Sequence, residues 1–106
     1  MNTNNKGNLD YHVTMRTLGA SYKHKLASLQ QSTIKERGNT SEARKFIKHI
    51  DSEVKLQINT GRTMKSEGKK LVPYSEFFGR MHLCNGYSDA VCQILYGAAC
   101  DAWLSG

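Results

Sequence analysis

Phe46, Ile47, Ile50, Val54 and Ile58 recur at intervals of three and four between residues 41 and 60. This spacing gathers apolar side chains on one face of an α-helix. It constrains the fold more than any other feature, because the chain offers no pair of segments that could lie together as strands. Only Leu9, Tyr11, Val13 and Met15 alternate as a strand would, and a strand without a neighbour leaves its backbone N–H and C=O groups unsatisfied. The same region reads over a longer span as a helix, through Tyr11, Met15, Leu18, Tyr22, Leu26 and Leu29, with Gly19 as the place for a bend.

Helix boundaries follow from cap and breaker residues. Asn39 or Ser41 can cap the helix after residue 40, with Asn39 and Glu42 in the arrangement of a capping box, and Gly61 is expected to stop it. Its polar face carries Arg44, Lys45, Lys48, His49, Asp51 and Lys55, with Asp51 and Lys55 spaced for an ion pair. Pro73 and Ser75 open a short helix that Asn85 and Gly86 close. Ser88 caps a last one, whose stripe is Val91, Ile94, Leu95, Ala98 and Ala102. The expected fold is all-α, a small bundle of four or five helices: one helical domain over residues 9–106, preceded by a disordered tail over residues 1–8. A chain of 106 residues has room for one core and one domain.

The stretch "TGRTMKSEGKKLVPY", residues 60–74, has the look of a phosphate-binding loop. A nucleotide P-loop needs four residues between its glycines and a Lys followed by Ser or Thr, after a buried strand. Here six residues separate Gly61 from Gly68, Lys70 follows Lys69, and a helical pattern precedes. A nucleotide is excluded, and a basic connector between helices remains.

Charge then becomes informative. Residues 1–70 carry 14 Lys or Arg against 6 Asp or Glu, a net +8, whereas residues 71–106 carry one Arg against three acids, a net −2. A basic two-thirds and an apolar end suggest a polyanionic partner on one side and packing or assembly on the other. The candidate nucleic-acid-binding residues are Lys23, Lys25, Arg44, Lys48, Arg62, Lys65, Lys69 and Lys70, with Tyr74 as the best-placed ring for base stacking. Tyr11 and Tyr22 lie in the same region but occupy the apolar stripe. The last two helices have helix-turn-helix spacing, yet the second holds two Asp and no Lys or Arg, so it would be a poor reader of phosphates or guanines. Contacts without base specificity are expected.

Other chemistries find little footing. Cys84, Cys92 and Cys100 are odd in number and lie in the apolar third, as expected of three buried, reduced thiols. With His82 they lack the paired spacing of a zinc site. His12, His24, His49 and His82 are scattered, so neither catalysis nor a cofactor is expected. "MNTNNKGN" lacks the apolar run of a secretory signal, and the window from Val91 to Leu104 is too short and too polar to span a membrane. The expected location is cytoplasmic.

The run "CNGYSDAVCQIL" resembles a turn-helix stretch in the small helical subunits of type III CRISPR effector complexes, over about a dozen of 106 residues. That resemblance implies a small basic helical protein working within or against a nucleic-acid-processing complex. The alternative class is a protein-interaction module, an inhibitor or adaptor, that sets its basic face on an acidic protein surface. Gly97, Ala98, Ala99 and Ala102, with Trp103 beside them, also leave open a homodimer through the C-terminal helix.

Overall fold

The computed structural model describes the backbone of residues 3–106 and the side chains of residues 11–106. Four helices follow one another, α1 (Thr3–Arg37), α2 (Ser41–Ser66), α3 (Tyr74–Asn85) and α4 (Asp89–Ser105), and no strand occurs among the described residues. The alternating run at residues 9–15 is helical, as its longer stripe requires. The segment expected as a tail, residues 1–8, falls on residues 1 and 2, which lie outside the described residues, and on the first turns of α1, whose side chains do.

The last helix in sequence is the centre of the molecule, and α1, α2 and α3 all pack on it. Beyond the expected stripe, Cys92, Tyr96, Gly97, Ala99 and Cys100 of α4 are also buried, so this helix is covered nearly all round. Met15, Leu18 and Tyr22 reach it from α1, Ile50 and Val54 from α2, and Phe77 from α3.

Small residues set how closely the helices approach. A Cβ on Gly97 would land on the backbone carbonyl of Leu18 and 2.7 Å from Tyr22 Cβ, and one on Gly61 would land on the carbonyl of Ala99 and 3.0 Å from Ala102 Cβ. Gly61 therefore does not stop α2. It is buried inside a helix that runs on to Ser66, and the stop comes at Gly68, whose φ of 70° is left-handed. Gly19 likewise marks no break in α1; its bare Cα faces the α4 backbone at Asp101. Because α1 and α2 fill the small-residue face of α4, that face is not free for a second copy of the chain.

The caps agree with the sequence in kind and differ in one position. Ser88 accepts from Val91 N–H, and Gly86, at φ 68°, ends α3. At α2 the cap is Thr40, which accepts from Ala43 N–H at 3.2 Å, in place of Asn39 or Ser41. Asp51 does not pair with Lys55 but accepts from Gln30 Nε2 of α1 at 3.0 Å.

The connector from Glu67 to Pro73 is held by three aromatic side chains. Trp103 Nε1–H donates to Lys69 O at 2.8 Å, Tyr11 Oη–H to Leu71 O at 2.5 Å, and Tyr96 Oη–H to Val72 O at 2.6 Å. With Leu71 buried as well, the connector is fastened to α1 and α4.

Candidate nucleic-acid interface

The basic residues on α2 sit at intervals that an α-helix turns into a ridge. Arg44 and Arg62 are 18 residues apart, about five turns, so they point the same way about 27 Å apart along the axis. Lys48 and Lys55 lie between them, within about 40° of the same direction, and Lys48, Lys55 and Arg62 follow a seven-residue repeat. All four are exposed, and the apolar stripe with Ile50 and Val54 faces α4.

Helix α1 adds to this ridge from the other side of an open cleft. Lys23 and Arg62 line one open cleft of about 540 Å³ together with Tyr22, with Ile58, with Asp101 and Ser105 of α4, and with Gly106 just past that helix. Arg16, one heptad before Lys23, is exposed too. At the far end of α2, Arg44, Lys45 and Lys48 border a shallow hollow beside Ser41, and Arg44 Nη1 donates to Asn39 O at 3.1 Å.

The expected residues divide clearly by what each one touches. Two ion pairs form among the described residues, Lys69–Glu67 at 3.2 Å and Arg80–Glu76 at 2.9 Å, so Lys23, Arg44, Lys48, Arg62 and Lys70 are in no ion pair there, although Asp101 lines the same cleft as Lys23 and Arg62. Lys69 is in one, an exposed pair of little energetic weight. Lys25 Nζ instead donates to Gln93 Oε1 of α4 at 2.7 Å, half-buried, which makes it a link between helices. Lys65 Nζ sits 4.2 Å from the centre of the Trp103 ring, a cation–π contact that leaves its charge uncompensated.

Tyr74 is placed poorly for stacking. Its hydroxyl donates to the Asp89 carboxylate, its ring meets Tyr96 edge-on at 5.4 Å, and burial first, then Asp89, raises its pKa above the usual tyrosine value. Tyr22 is buried and Tyr11 half-buried.

Two of the four histidines make contacts between elements. His49 Nε2 and Tyr87 Oη lie 2.6 Å apart, joining α2 to the turn before α4, and His82 Nδ1 is 3.1 Å from Tyr87 O. Cys92 and Cys100 are buried, but Cys84 is exposed. The expectation of three buried thiols fails there because residues 82–86 are all exposed, the last turn of α3 projecting past the core. Among the described residues no group of three His, Cys, Asp or Glu side chains is arranged to hold a metal, and no helix is long and apolar enough to cross a membrane.

Sequence reasoning pointed at the connector and missed Arg16. The available signal was its seven-residue interval to Lys23, matching that of Lys48, Lys55 and Arg62 on α2. Comparison with known protein families, curated proteins and solved structures finds no match to the chain.

Proposed function

We propose that the chain binds the phosphate backbone of nucleic acid through the cationic face of α1 and α2, within or against a nucleic-acid-processing complex, and that it does so without catalysis. The observation that carries this reading is the convergence of Lys23 and Arg62, 39 residues apart in sequence, on one open cleft. This cleft continues the α2 ridge. Neither Lys23 nor Arg62 is in an ion pair among the described residues, so none has to be broken before they meet phosphates, and each contact releases condensed counterions.

Base reading is not part of the proposal. The helix that would enter a groove in a helix-turn-helix protein is α4, which is buried among the other three. Contacts by Lys and Arg to phosphates position a protein without reporting sequence.

Charge reversal tests the assignment. Lys23→Glu with Arg62→Glu should weaken binding of every sequence alike, by about tenfold or more at low salt. Lys69→Glu with Lys70→Glu should cost less, since Lys69 already faces Glu67. A fluorescence-anisotropy titration reads both. If the Lys23 and Arg62 reversal leaves the titration unchanged, the cleft does not bind phosphate, and an acidic protein surface becomes the better partner.

A further inference from the structure

We infer, resting on the backbone-binding reading, that the partner is a nucleic-acid duplex and not a single strand. Proteins that hold single strands without sequence preference combine a basic groove with exposed rings on which bases stack. Every Tyr, Phe and Trp among the described side chains is buried or half-buried here. The ring nearest the cationic cleft, Tyr22, is 5% exposed and forms part of its lining. A nucleotide of a single strand would find cations for its phosphate on this face but no exposed ring on which its base could stack.

The shape of the charge also suits a duplex. Lys23 of α1 and Arg62 of α2 line the cleft from two different helices, and exposed cations continue along each helix, Arg16 on α1 and Lys48 and Lys55 on α2. A duplex presents two phosphate rows flanking a groove, at one charge per about 1.7 Å of axis. The α2 ridge extends about 27 Å without a flexible segment, and DNA is stiff over far greater lengths, with a persistence length of about 50 nm. Two rigid bodies of matching charge meet with little ordering cost. A flexible strand would have to be straightened along the ridge, with no stacking to offset its lost entropy.

The full chain should be titrated by anisotropy against a labelled duplex of about two helical turns and against one of its strands alone, at the same low salt. We expect the duplex to bind about tenfold more tightly, through its second phosphate row. Equal or tighter binding of the strand overturns the duplex inference and leaves the backbone reading standing. Binding of neither overturns both.

Discussion

Gly→Ala at three helical glycines should change stability in opposite directions, because one substitution meets very different surroundings. In a helix interior, Ala is worth about 1 kcal/mol over Gly. At Gly79 of α3 nothing lies within 4 Å of the added methyl, so the full gain should appear. At Gly97 the methyl falls on Leu18 O and lies 2.7 Å from Tyr22 Cβ, and at Gly61 it falls on Ala99 O and lies 3.0 Å from Ala102 Cβ. Backbone atoms cannot swing away as a side-chain tip can, so the helices must separate. Overpacking costs about 1–3 kcal/mol, and the upper end applies where backbone is struck. After the propensity gain, the net loss at Gly61 or Gly97 is about 2 kcal/mol, a fall of roughly 10 °C in Tm for a domain of this size. Thermal melts followed by circular dichroism should place Gly79→Ala at or above the parent and the other two well below it. If all three variants melt together, the close approach of α1 and α2 to α4 is not as described.

Tyr96→Phe should cost about 1–3 kcal/mol in urea unfolding, since it leaves Val72 O without the donor that holds it at 2.6 Å; an unchanged midpoint would mean the connector is not fastened there. With an aromatic disulfide reagent at pH 8, one thiol, the exposed Cys84, should react quickly, and Cys92 and Cys100 only after unfolding; three fast thiols would contradict the buried pair. Burial pushes the Cys100 thiol up from 9.0 to about 12. The folded chain thus holds this proton more tightly than the unfolded one, so the contribution is complete below about pH 9 and declines as pH rises toward 12. Urea midpoints should fall through that window, less steeply in Cys100→Ala, and equal slopes would remove Cys100 as a cause.

Local rules carried the sequence reading a long way. The stripe of Ile50 and Val54, the Ser88 cap and the Gly86 stop depend on neighbours a few residues apart, and local physics fixes them. The role of Gly61 was not legible, because a glycine that ends a helix and one that admits a second backbone look alike until the partner, Ala99, is in place. The same holds for Lys25, whose partner Gln93 lies 68 residues away. For the interface, composition revealed the basic two-thirds but could not distinguish cations facing outward from those held by Glu67, Gln93 or Trp103.

The salt dependence of duplex binding tests the central claim most directly. If about four cations of the α1 and α2 face meet phosphates, a plot of log K against log salt should have a slope of about −3.6. Affinity would then fall roughly a hundredfold between about 50 and 200 mM salt. Lys23→Glu with Arg62→Glu should make that slope shallower by about 1.8. A slope near zero, or a steep one that the double substitution leaves unchanged, would contradict the assignment of phosphate binding to this face.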